Sequence, residues 1–197
     1  QTYILTLVKR LLPTILEEVG FDPTVKEVGH SYGEKVEETL VEKLCELDPA
    51  FTAPEGKREM QDVSFNDDLI NIKFGFDKKG QPNMVEFNRL SERFIKGEID
   101  NKYIISIDGK DNKVTFFDLY QHLPYTNYNV GTGQVMLKER QFFETFDQEI
   151  DYSISKISII HKLRQMKVQS HKDHITLKEI QLKKSLELFD NTLKQYC

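Results

Sequence analysis

The sequence predicts an α/β fold that ends in a helical C-terminal region. Three observations carry this. Gln61 to Phe76, QDVSFNDDLINIKFGF, alternates apolar and polar side chains with the period of a strand pair. Ser31 to Glu46 repeats apolar side chains at helical spacing. From about Lys138 the composition is helical and stays so to the end.

The 197 residues suffice for one domain of ordinary size, residues 1–197, with a full hydrophobic core. Apolar content of 39% and charged content of 30% fit a globular protein in water. The net charge of -5 gives no overall attraction to nucleic acid, although an acidic total is compatible with a locally basic surface. Two cysteines cannot build a disulfide framework and point to a reducing cytoplasm. No apolar run is long enough to span a membrane.

Taken in order, residues 1–19 place Ile4, Leu5, Val8, Leu11, Leu12, Ile15 and Leu16 at helical spacing, and Pro13 should kink or divide that helix. The stripe suits a packed core helix or a dimerisation element. Gly20 to Gly33 contains Asp22-Pro23 and reads as a loop with at most a short strand. In Ser31 to Glu46 the stripe is Val36, Leu40, Leu44 and, just beyond, Leu47. Glu34, Glu37, Glu38, Glu42 and Glu46 are mostly solvated, with Glu37 at the stripe's edge. Leu47 to Met60 is a connector with room for a short strand, and its Lys57 and Arg58 suit contact with phosphates.

In the alternating stretch, Met60–Phe65 and Leu69–Phe76 are strands around the turn residues Asn66, Asp67 and Asp68. Ile70, Ile72, Phe74 and Phe76 share one face of the second strand; Leu69, Asn71, Lys73 and Gly75 share the other. A two-residue turn at Asn66-Asp67 sets Asp62 opposite Asn71, and one at Asp67-Asp68 sets it opposite Lys73. Both put the three polar side chains on one side. A carboxylate beside an ammonium suits phosphodiester hydrolysis. The carboxylate of Asp62 can hold Mg²⁺, and Lys73 can orient water or neutralise developing charge. An edge hairpin with a cross-strand salt bridge would carry the same residues.

Further on, Asp77 to Pro82 is a polar turn, and Asn88 to Lys96 reads as a short helix with Asn88 as N-cap and Gly97 past its end. Arg89, Arg93 and Lys96 share a face, either phosphate-binding or simply solvated. Tyr103–Asp108 and Val114–Tyr120 form a second hairpin. Gln121 to Gln134 reads as a loop whose Asn127, Asn129 and Gln134 carry amides of the kind that read base edges. Tyr152–Lys184 holds eight basic residues, Lys162, Arg164 and Lys167 among them, against Asp173 and Glu179 only. Segregation of this kind suits a phosphate backbone, and equally a solvated face. His171 and His174 are spaced to share a metal but lack a third ligand. Ile180 to Lys194 reads as a last amphipathic helix with the stripe Leu182, Leu186, Phe189 and Leu193.

Asp62 followed by Asn71-Ile72-Lys73 resembles the active-site signature of the PD-(D/E)xK nuclease superfamily, type II restriction endonucleases above all. Gln61 stands where Pro is usual, and Asn71 where Asp or Glu is usual. The order helix, acidic hairpin, helix, strand extends the likeness over about residues 31–120. The resemblance implies a restriction-endonuclease-like core, a mixed central sheet flanked by helices. It implies Asp62 and Asn71 as ligands of Mg²⁺, Asn71 being neutral, and Lys73 as the water-orienting group. It also implies Glu37, within Gly33-Glu34-Lys35-Val36-Glu37, as a further acid pointing at the metal site. The expected activity is sequence-specific hydrolysis of double-stranded DNA by a homodimer, with residues 138–197 contacting DNA. Two other readings share the fold: a repair or phage-defence nuclease, and a catalytically silent DNA-binding or scaffold protein.

Overall fold

The computed structural model describes residues 2–22, 24, 29–56, 59–75, 83–109, 112–137 and 155–195. Lys57, Arg58, Phe76 and the start of the C-terminal helical region, residues 138–154, lie outside them. The fold is mixed α/β, with four α-helices among the described residues.

Helix α1 (Thr2–Glu18) and helix α2 (Gly29–Leu47) come first. α1 runs on through Pro13 and is not divided there. Its face of Ile4, Leu7, Val8, Leu12 and Ile15 is buried along the whole length, while Lys9 and Pro13 lie outside. The carbonyl that Pro13 leaves without an amide therefore belongs to an exposed residue and can take water. α2 begins before Ser31, which shortens the expected loop.

A five-stranded sheet follows, built from β1 (Phe51–Thr52), β2 (Val63–Phe65), β3 (Asp68–Gly75), β5 (Lys102–Asp108) and β6 (Lys113–Asp118) in the order β1-β2-β3-β5-β6. Only β3 and β5 pair in parallel, so the sheet is mixed. One face buries Ile70, Ile72, Ile105 and Ile107 against α1 and α2. The other buries Ile104 and Phe117 against helix α3 (Phe87–Ile95), with Leu69 at its border.

That second core also contains a three-stranded sheet, β4-β8-β7, from β4 (Asn83–Glu86), β7 (Thr126–Asn129) and β8 (Gln134–Leu137). The stretch expected as a loop, Gln121 to Gln134, thus holds a short 3-10 turn at Leu123–Tyr125 and one strand of a hairpin. The cap of α3 is Glu86, not Asn88: its carboxylate accepts from the amides of Asn88 (3.0 Å) and Arg89 (2.6 Å). A carboxylate at that end also meets the positive pole of the helix. Gly97 closes α3 at φ +72°, with Glu98 N–H on the Arg93 carbonyl at 2.9 Å.

The chain ends in one helix, α4 (Lys156–Leu193), where two segments were expected. At 1.5 Å per residue it is ~57 Å long. Ile159 and Leu163 pack into the second core with Met166 beside them. The expected stripe Leu182, Leu186, Phe189 and Leu193 is exposed.

Candidate active site

The hairpin register comes from its turn. Asn66 takes φ +51°, Phe65 pairs with Asp68, and Val63 pairs with Ile70. Asn66 and Asp67 are therefore the two loop residues, and the Asp62 amide, bonded to the Ile70 carbonyl at 2.9 Å, extends the ladder so that Asp62 lies opposite Asn71.

β3 runs further than β2. Beyond Val63, no strand among the described residues receives the amides of Ile72 and Phe74. Two carboxylates take that place. Asp62 Oδ2 accepts from Ile72 N–H at 2.6 Å and from Asn71 Nδ2 at 3.2 Å. Glu37 Oε1, reaching across from α2, accepts from Phe74 N–H at 2.9 Å. Lys73 Nζ lies between them, 3.4 Å from Glu37 Oε2 and 3.6 Å from Asp62 Oδ2. Glu37, Asp62, Asn71 and Lys73 thus form one cluster at the corner where α2 meets the uncovered end of β3.

Electrostatics give the cluster its tension. Burial pushes the Glu37 carboxyl above its usual range, against the pull of Lys73 and the Phe74 amide, and the Asp62 charge adds to the rise. Asn71 is buried, and among the described residues its Oδ1 has no hydrogen-bond partner; Gln61 Oε1, beside Asp62 in the chain, is another such acceptor. Unpartnered buried oxygens are uncommon in a folded chain. Glu34, Glu37, Glu38, Glu42, Glu59 and Asp62 line an open cleft of about 600 Å³ at this corner.

One residue escapes sequence reasoning altogether. Lys102, at the start of β5, is fully buried, and its Nζ donates to the Met60 carbonyl, two residues before Asp62. Burial lowers its pKa to about 7, with Asp62 opposing and Lys73 and Arg93 assisting. In the sequence Lys102 looks like a polar flank of the strand that follows; only the parallel pairing of β3 with β5 places it beneath the corner.

The described residues expected to contact DNA lie on α3, on the β7–β8 hairpin and on α4. Arg89 is exposed on α3, and Arg93 pairs with Glu98 at 3.3 Å. Asn127 sits on β7 opposite Met136. Asn129 pairs with Gln134, and its side-chain oxygen accepts from the amides of Gly131 (3.0 Å) and Thr132 (3.4 Å). That oxygen helps to shape the hairpin turn. Lys162, Arg164 and Lys167 lie on the first half of α4, and Lys167 donates to Asn88 Oδ1 across to α3. His171 and His174 line a groove of about 600 Å³ between α4, Asn88 and Tyr128.

No protein-family model matches the chain, and no curated protein matches it. Among the described residues, no three His, Cys, Asp or Glu side chains are grouped so as to hold a metal ion by themselves, and no helix is long and apolar enough to cross a membrane.

Proposed function

We propose that the chain is a Mg²⁺-dependent endonuclease with a restriction-endonuclease-like core, hydrolysing phosphodiester bonds in double-stranded DNA. The observation that carries the reading is the meeting of Glu37, Asp62, Asn71 and Lys73 at one corner, with both carboxylates fixed by backbone amides.

The donor set fits a hard cation. Asp62 and Glu37 supply carboxylate oxygens, and the buried Oδ1 of Asn71 is an acceptor without a partner among the described residues. Mg²⁺ takes oxygen ligands and keeps several waters, so a site of two acids and an amide is sufficient for it. When bound, the ion would polarise a phosphoryl oxygen and acidify a water. The chain's own residues do the rest. Asp62 is oriented by the Ile72 and Asn71 donors, and so needs little reorganisation to receive a cation. Lys73 presents N–H donors to the attacking water and to charge growing on the phosphate. Glu37 keeps the Lys73 ammonium over the corner. The acidic cleft attracts cations and repels bare phosphate. DNA is held instead by the basic first half of α4 and by Arg89.

One observation favours a different reading. The Asn71 amide donates to Asp62, which an acid at that position would not do, and this satisfies the carboxylate without a cation. A DNA-binding protein that has lost its metal would look the same. Incubation of supercoiled plasmid with the chain and Mg²⁺, then with a chelator added, separates the two. Metal-dependent linear or nicked product supports the nuclease, with discrete fragments marking site preference. Intact plasmid with retained DNA binding would leave the silent binder.

A further inference from the structure

The distal half of α4 carries large apolar side chains that stand more than half exposed. Leu182, Leu186, Phe189 and Leu193 are 60%, 53%, 68% and 62% exposed. They are spaced four, three and four residues apart, the alternation of a and d positions in a two-helix seam. A continuous apolar row of this kind on a water-exposed helix marks an interaction surface.

We propose that this half of α4 pairs antiparallel with the same segment of a second copy of the chain. The stripe complements itself under a two-fold axis set between Glu187 and Leu188. Leu186 then faces the partner's Phe189, and Leu182 faces the partner's Leu193, which gives four layers with no polar residue inside. The flanking charges choose the direction. With the helices antiparallel, Lys183 lies opposite the partner's Asp190, twice by symmetry. With the helices parallel, Lys178 would lie opposite the partner's Lys183, also twice, and like charges repel. The seam is short, so the dimer is reversible and concentration-dependent. The pairing is independent of the chemistry proposed for the α2 corner.

Sedimentation equilibrium of the full chain over a concentration series tests this. The mass should rise from the 23.1 kDa of one chain towards twice that value. Leu186→Glu should hold it at one chain throughout. Lys183→Glu and Asp190→Lys should each weaken association about three- to tenfold, and the two together should restore it. Far-UV circular dichroism shows whether α4 stays helical in each variant; if Leu186→Glu unwinds it, the charge series decides alone. A single-chain mass at every concentration would overturn the proposal. So would a dimer indifferent to Leu186→Glu, or one tightened by Lys183→Glu, the sign expected of parallel helices.

Discussion

The corner of α2 and β3 and the distal half of α4 are opposites. At the corner, polar groups sit half-buried and almost every one is tied to a named partner: Asp62 to Ile72 and Asn71, Glu37 to Phe74 and Lys73. On distal α4, large apolar groups stand mostly in water. Each region reverses the ordinary rule of apolar inside and polar outside, and each holds its reversal differently. The corner offsets the cost of buried charge with internal hydrogen bonds and ion pairs. The distal helix leaves its apolar row for something outside the chain. A ligand for the first should therefore be small and cationic, and a partner for the second should be apolar and helical.

Stability measurements can break this contrast. The largest effect belongs to a leucine of α4 on the packed side. Leu163→Ala, fully inside the second core, should cost about 2–5 kcal/mol in urea unfolding. The equivalent change at Leu186, on the same helix, should fall within about 0.5 kcal/mol at concentrations where the chain is monomeric. Equal costs at the two positions would mean that distal α4 is packed after all.

Next comes the corner. Asp62→Ala leaves the Ile72 amide without an acceptor and should destabilise by about 1–3 kcal/mol. Asp62→Asn keeps an acceptor oxygen and should cost about half as much or less. Similar losses for both would show that the amide finds water instead.

Lys102 gives a smaller effect with a distinctive pH dependence. Its folded pKa of about 7 lies below the unfolded value of 10.5. The unfolded chain therefore binds more protons between those two values, and stability rises with pH across that window. Below about 7 the ammonium is charged in both states and its burial costs most. Lys102→Met should accordingly stabilise the chain at pH 6, by about 1–2 kcal/mol once the lost Met60 contact is included, and the gain should shrink towards pH 10. A gain that is flat with pH would place Lys102 in contact with water. Smallest of all is Glu37→Gln, which keeps an acceptor for Phe74 N–H but removes the charge facing Lys73. Its carboxyl pKa is raised on folding, so the ionised acid is a cost above that raised value, and the amide should leave stability at neutral pH unchanged or slightly higher.

What the sequence made legible follows range. α2 and the β2–β3 hairpin are written in local periodicity, and Asn66-Asp67 sets the register that places Asp62 opposite Asn71. β7 reads Thr-Asn-Tyr-Asn, with no apolar alternation; it is a strand because β8 pairs with it. β4 is likewise made by its partner, and the cap of α3 moved from Asn88 to Glu86 because β4 ends there. Lys102 was hidden for the same reason, since parallel pairing joins strands far apart in the chain. Helical spacing showed the stripe at Leu182 to Leu193, but periodicity reports a face and not what covers it.

The most direct test of the corner is plasmid cleavage in Mg²⁺ by Lys73→Ala beside the parent, both shown to be folded by circular dichroism. Lys73 contacts both carboxylates, and its loss should lower the cleavage rate at least about a hundredfold. A Lys73→Ala chain that cuts as fast as the parent would contradict the account.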